Sequence, residues 1–99
     1  MFKELDPLLH SQLRLSIISL LISVRYAEFN YLMEKTGATQ GNISVQLKKL
    51  EEAGYIEIKK SFRKNYPLTT CNITRKGIEA FKSYVDALSD YIRQKPASE

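Results

Sequence analysis

The chain has 99 residues, 43% of which are hydrophobic, and a formal net charge of +4. This length predicts one domain with a modest core, and the charge permits a polyanionic partner without proving one. A single cysteine excludes an internal disulfide and suits a reducing compartment, so we expect a cytoplasmic protein.

The first predicted helix covers residues 7–24, with Asp6 as its N-cap and Pro7 as its first residue. Its apolar residues occupy two faces, one of which carries Leu15, Ile18 and Ile22. A helix that is apolar on two faces needs a second surface beside its own core, and a second subunit would supply it. The apolar run is shorter than the roughly 20 residues that span a bilayer, and the N-terminus lacks the pattern of a signal peptide, so no membrane association is predicted.

A break at Arg25 and Tyr26, which can be the stub of a strand, precedes a short helix predicted over residues 28–36. Gly37 ends this helix. Only a few residues, glycine among them, separate it from the next helix, and this spacing is typical of a helix-turn-helix.

Residues 39–53 predict the third helix, with Thr39 as N-cap and Gly54 just past its end. One face is an apolar stripe formed by Ile43, Leu47 and Leu50. The opposite face has short polar side chains at its start and bases further on, with no acid before Glu51, and such a face suits a DNA major groove. Its candidate DNA contacts are Thr39, Gln40, Gly41, Asn42, Ser44, Val45, Gln46, Lys48 and Lys49.

These candidates differ in what they can bind. Gln40 and Asn42 can read an adenine edge, or can bond to a phosphate or to water instead. Gly41 permits a close approach of the backbone to a DNA strand, or is only a first-turn glycine. We expect Thr39, Ser44, Lys48 and Lys49 to bind phosphates through their hydroxyl and ammonium groups. The alternative for Lys49 is a solvated residue at the edge of this face.

Two alternating strands, residues 55–60 and 68–73, are predicted on either side of a loop at 61–67, and together they form a hairpin wing. Six basic residues and no acid occur from Lys59 to Lys76, a distribution that favours a polyanionic partner over a merely solvated surface. We expect the tip of the wing to contact the DNA backbone or the minor groove. The candidate contacts at the tip are Arg63 and Lys64.

Thr74 caps the last predicted helix, residues 75–93, whose apolar residues recur at helical spacing. At about 1.5 Å per residue this helix is roughly 28 Å long, which is longer than a three-helix core of this size covers. We therefore expect the first and last helices to form a homodimer, with residues 94–99 as a frayed tail. The predicted interface residues are Leu15, Ile18, Ile22, Tyr84, Leu88, Tyr91 and Ile92.

Cys71 lies on the inward face of a predicted strand, and the chain has no second cysteine and only one histidine, His10. We therefore expect a core residue there rather than a metal or redox site, and we expect no cofactor. No nucleophile is paired with a base, so no enzymatic activity is predicted. Four tyrosines are compatible with an effector cavity at the dimer interface and equally with plain packing: Tyr26, Tyr31, Tyr84 and Tyr91.

The stretch from Thr39 to Ile56, TQGNISVQLKKLEEAGYI, resembles the recognition-helix signature of small winged helix-turn-helix transcriptional regulators, compact relatives of the MarR-like and ArsR-like repressors. LRLSI, YPLTT and ITRKG, which start at Leu13, Tyr66 and Ile73, resemble the same family, and the resemblance covers about residues 5–92.

The resemblance implies that the third helix lies in the major groove, that the wing touches the DNA backbone or minor groove, and that the first and last helices form a homodimer. Gln40, Gly41 and Ser44 match positions that approach DNA in such proteins. Val45 and Gln46 stand where relatives often carry an Arg-His pair, and Val45 can instead contact a thymine methyl group.

The sequence thus predicts an α+β fold, mainly α with a small β-hairpin, in a single domain over residues 1–93. The predicted function is that of a homodimeric, sequence-specific transcriptional regulator of double-stranded DNA, a repressor rather than an activator. The alternative is a winged-helix interaction module that docks on an acidic partner, but the acid-poor third helix favours DNA. A small-molecule effector stays an open alternative.

Overall fold

The structure, a computed structural model, describes residues 2–97. Its elements in chain order are α1 (Gln12–Val24), β1 (Tyr26–Glu28), α2 (Phe29–Thr36), α3 (Gln40–Glu52), β2 (Ile56–Arg63), β3 (Tyr66–Ile73) and α4 (Arg75–Ile92). The strands form an antiparallel sheet in the order β1-β3-β2. The α+β class and the winged helix-turn-helix order of elements are therefore confirmed.

The first helix begins later than residue 7. Asp6 does cap a turn, because its carboxylate accepts the N–H of Leu8 at 2.9 Å and its carbonyl accepts the N–H of His10 at 2.8 Å. The chain then becomes extended at Ser11, where φ is −151°, and α1 starts at the next residue. The prediction was wrong because a local cap is sufficient for one turn, whereas the position of the long helix is set by packing.

The turn between α2 and α3 has the predicted construction. Gly37 ends α2 in the left-handed region, with φ of 71°, and the Thr39 hydroxyl accepts the N–H of Asn42 at 3.2 Å. The apolar stripe of α3 is buried at Ile43, Leu47 and Leu50. Gly54 follows the helix with φ of 82°.

The hairpin is longer and its loop shorter than predicted. Arg63 pairs with Tyr66, so only Lys64 and Asn65 join the strands, with φ of 50° and 70°. Two residues at positive φ match the right-handed twist of a two-residue hairpin. Most of the predicted loop 61–67 is therefore strand. The predicted strand stub is also present, because β1 pairs with β3.

The start of α4 is tied to the end of α3. The Thr74 hydroxyl accepts the N–H of Gly77 at 3.0 Å and donates to the Gly54 carbonyl at 2.7 Å. The N–H of Thr74 donates to the carbonyl of Tyr55 at 3.0 Å. Gly77 is packed so closely beneath this junction that a Cβ atom would lie 2.2 Å from the Tyr55 oxygen.

The core lies between the helices and the inner side of the sheet. Cys71 is fully buried within it, as predicted, and burial raises the pKa of its thiol from 9.0 to about 11. Ile18 and Tyr84 are also buried, with 0% and 5% exposure. Both residues therefore pack within the core of the protomer, and their place in a dimer interface stays a prediction.

The ends of the chain are only partly described. Residues 94–97 are exposed and carry neither helix nor strand, whereas Ser98 and Glu99 of the predicted tail and Met1 of the predicted domain lie outside the described residues. Within residues 2–97, no helix has both the length and the apolar character that crossing a membrane requires.

Candidate nucleic-acid interface

The solvent face of α3 carries most of the predicted DNA contacts. Its exposed residues are Gln40, Gly41, Asn42, Ser44, Val45, Lys48 and Lys49, with Thr39 exposed at the cap. Val45 lies at the centre of this face and is 51% exposed, so an apolar side chain is displayed among polar ones. The capped N-terminus of the helix adds free N–H groups and the positive end of the helix dipole, both of which favour a phosphate.

Gln46 differs from the other candidates because it is half-buried on the side of α3 that faces α1. Its carbonyl oxygen accepts from the Arg14 guanidinium, and its amide nitrogen donates to the side-chain oxygen of Asn42 at 3.1 Å. Arg14 in turn donates to the carbonyl of Leu8 at 2.6 Å. The amide groups of Gln46 are thus engaged by the protein itself, and Arg14 holds α3 against α1.

The sequence prediction did not include Arg14 in the site. The available signal was a single arginine inside an otherwise apolar and serine-rich helix. A buried or half-buried arginine needs partners, and the nearest are a carbonyl and an amide from other elements. Leu8 lies in the turn before α1 and Gln46 lies 32 positions from Arg14, so the pattern of α1 alone did not identify them.

A cleft of about 640 Å³ separates α3 from the hairpin. Its lining includes Gln40, Ser44 and Lys48 from α3, and Lys60 and Thr69 from the facing strands. The ammonium group of Lys48 is 3.4 Å from the Glu51 carboxylate, in a pair exposed enough to be worth little free energy. Lys60 and Thr69 were missed as site residues, although strand alternation from the buried Ile56 would have placed Lys60 on this side.

The predicted tip residues of the wing lie at the end of the hairpin. Lys64 occupies the turn itself. Arg63 lies beside it, but its guanidinium bonds to the carboxylate of Glu28 on β1 at 2.8 Å. Since the Arg63 side chain is 61% exposed and that of Glu28 39%, this ion pair is weak and can exchange Glu28 for a stronger anion such as a phosphate.

The predicted dimer face is partly open in the protomer. Ile92 and Tyr91 are 72% and 40% exposed, and Val85 on the same helix is 48% exposed. Leu15, Ile22 and Leu88 are half-buried. The ring of Tyr91 also stacks on Phe2, with 4.6 Å between centroids, which is a contact that the sequence did not predict.

The four tyrosines do not line one cavity. Tyr84 is inside the core, where its hydroxyl is 3.0 Å from Nδ1 of His10. Tyr26 and Tyr31 line a depression of about 280 Å³ beside Val24. Tyr91 lies against Phe2 instead.

Comparisons with known proteins agree with this geometry. A family model described as a winged helix DNA-binding domain matches residues 13–92. An uncharacterized protein of Methanocaldococcus jannaschii is 49% identical over 76 residues, which cover 77% of this chain and 83% of that protein.

Two solved structures have the same arrangement of elements. A transcriptional regulator homologue from Pyrococcus horikoshii has a TM-score of 0.81 at 28% identity, over 86% of this chain and 84% of that one. A putative transcriptional regulator from Thermoplasma acidophilum has a TM-score of 0.70 at 26% identity, over 89% of this chain and 90% of the other.

Proposed function

Because the chain belongs to the winged helix DNA-binding domain family, we propose that it is a homodimeric transcriptional regulator that binds specific sequences of double-stranded DNA and acts as a repressor. Its family membership confirms the resemblance inferred from the residues around α3. The observation that carries the proposal is the exposed face of α3, which has a capped N-terminus and no acid before Glu51.

In the proposed complex, α3 lies in the major groove. Gln40 reads a base edge, and the exposed Val45 contacts a thymine methyl group, which is an apolar contact that the major groove offers. Gly41 allows the start of the helix to approach the sugar-phosphate backbone, since no atom lies within 4 Å of its missing Cβ. The side-chain oxygen of Asn42 accepts from the amide nitrogen of Gln46, so the amide nitrogen of Asn42 is the group proposed to contact DNA.

Phosphate contacts supply most of the affinity in this proposal. Thr39, Ser44, Lys48 and Lys49 are exposed along α3 and reach the strands that border the groove. The wing adds Arg63 and Lys64 at the backbone or minor groove, with Arg63 exchanging Glu28 for a phosphate. Gln46 takes a supporting role, because its amide groups already bond within the protein.

The dimer brings two copies of α3 to successive half-sites about 34–36 Å apart on one side of the DNA. Exposed Val85 and Ile92 on α4 support an interface on that helix, together with half-buried Leu15 and Ile22 on α1. Sedimentation of the pure protein at micromolar concentration tests it: a clean monomer of 11.4 kDa would rule out the dimer. A regulator that binds the chromosome is expected in the cytoplasm.

Selection of bound duplexes from a random pool tests the proposed function and identifies the operator at once. The selected duplex is then titrated with protein at several salt concentrations, where affinity should fall steeply as phosphate contacts are screened. A flat salt response, or no preference for the selected duplex over random DNA, would contradict the proposal. It would instead favour the interaction module that docks on an acidic partner.

Single substitutions separate the two kinds of contact. Lys48→Ala should weaken binding to all duplexes and reduce the salt slope by about 1, whereas Gln40→Ala should change the preferred sequence. Lys82→Ala is the matched control, because Lys82 is an exposed lysine on α4. Equal losses at Lys48 and Lys82 would show that only net charge matters.

A further inference from the structure

The tip of the hairpin carries two exposed aromatic side chains. Phe62 and Tyr66 are each 75% exposed, and they lie on opposite faces of the sheet because Phe62 pairs with Pro67 and Tyr66 pairs with Arg63. A phenylalanine with three quarters of its surface in solvent contributes little to the core. The residues around the Phe62 ring therefore indicate the kind of partner that it contacts.

The two faces of the hairpin differ in what they continue. Along β2, Ile56 is buried in the core, and Ile58 and Lys60 line the cleft beside α3. Since side chains alternate along a strand, Phe62 lies on this same inner face and extends the cleft beyond its end. Tyr66 lies on the outer face, which it shares with Arg63 and the ion pair to Glu28.

Basic residues lie near Phe62. Lys60 is on the same face of β2 and Lys64 is in the turn, both are exposed, and no acid occurs between Lys59 and Lys76. An apolar ring among cations fits a partner with anionic edges and an apolar interior. Duplex DNA has this construction, because phosphates border stacked bases.

We propose that Phe62 is an apolar wedge that enters the minor groove beside the half-site bound by α3 and partly unstacks one base step, with Lys60 on an adjacent phosphate. Phenylalanine is one of the side chains that kink duplexes in this way. Unstacking costs least at pyrimidine–purine steps, so Phe62 contributes to specificity at positions that α3 does not touch. The inference rests on the proposed binding of duplex DNA.

The test uses a duplex that was selected with the wild-type protein and carries a fluorophore at each end. In a series of such duplexes, 2-aminopurine replaces one base at a time in the steps beneath the wing. Wild-type protein should shorten the end-to-end distance and raise 2-aminopurine fluorescence at one step. Phe62→Ala should lose both signals and roughly tenfold in affinity, the loss of a stacked aromatic contact. Tyr66→Ala is the matched control, equally exposed on the other face, and should keep both signals.

Each outcome has one meaning. Loss of both signals in Phe62→Ala alone supports the wedge, provided that its chemical denaturation matches that of the wild type. Equal losses in the two variants, or unchanged bending in Phe62→Ala, would overturn the wedge while leaving DNA binding intact. A wild-type protein that binds no duplex would overturn the proposed function and the wedge together.

Discussion

Gly77 provides a sharp test of how the structure is held together. It lies in the first turn of α4, where alanine is normally the better residue. Here an alanine Cβ would lie 2.2 Å from the backbone oxygen of Tyr55 and 3.0 Å from Cγ1 of Ile73, and ordinary contact begins near 3.4 Å. The helix and the chain at Tyr55 would have to part by about 1 Å.

That separation disturbs two hydrogen bonds. The Tyr55 carbonyl accepts from the N–H of Thr74, and the Thr74 hydroxyl donates to the neighbouring Gly54 carbonyl. Loss of two such bonds costs about 2 kcal/mol, overpacking adds about 1–3 kcal/mol, and helix propensity returns about 1 kcal/mol. We expect Gly77→Ala to lower the free energy of unfolding by about 2–4 kcal/mol, or the melting temperature by at least about 10 °C.

Urea denaturation and calorimetry measure this change directly. Gly41→Ala is the matched control, because Gly41 is also in the first turn of a helix but has no atom within 4 Å of the position of a Cβ. It should raise stability by up to about 1 kcal/mol. The reasoning fails if Gly77→Ala is as stable as the wild type, or if the two variants change in the same direction.

Three further predictions concern single side chains. Because Cys71 is fully buried with its pKa raised to about 11, a thiol reagent should label it only through unfolding, and fast labelling of the native protein would contradict this burial. Desolvation, followed by the hydrogen bond to Asp6, raises the pKa of Tyr55 from 10.0 to about 12. The Tyr55 phenol therefore contributes fully to stability below its pKa in the unfolded chain, and this contribution is lost as the pH rises toward its pKa in the folded protein. Tyr55→Phe should flatten the fall in stability between about pH 9 and 12, and an unchanged profile would refute this assignment. Arg14→Ala should lower the free energy of unfolding by about 1–2 kcal/mol and weaken DNA binding, since Gln46 loses its hydrogen bond to Arg14. Full stability in this variant would show that the contact is dispensable.

The parts of the fold that could be predicted from sequence are those set by neighbours in the chain. Thr39, the stripe beginning at Ile43, and Gly54 define α3 by capping and periodicity alone, and the structure has each in its predicted place. The tip of the wing was placed correctly, but its loop was predicted over residues 61–67 because a two-residue turn without glycine gives no clear signal of its length. Asparagine tolerates positive φ, but a lysine there gives no signal.

The remaining differences come from contacts between distant residues. The two apolar faces of α1 were recognised, but periodicity does not tell which face the same chain covers, and Ile18 is in fact covered. Alternation from Ile56 places Lys60 on the inner face of β2, but whether that face borders α3 depends on how the sheet packs against the helix. Likewise, Arg14 and Gln46 are joined across two helices, and no local pattern connects them.

The position of β3 between β1 and β2 has a consequence for how the chain folds. The β2–β3 hairpin closes through two residues and can form within microseconds, as isolated hairpins do. Pairing of β1 with β3 must instead close a loop that contains α2, α3 and β2, at an entropic cost that local contacts do not carry. We therefore expect the helix-turn-helix to join a hairpin that has already formed. In native-state hydrogen exchange, the amides of β1 should open before those between β2 and β3.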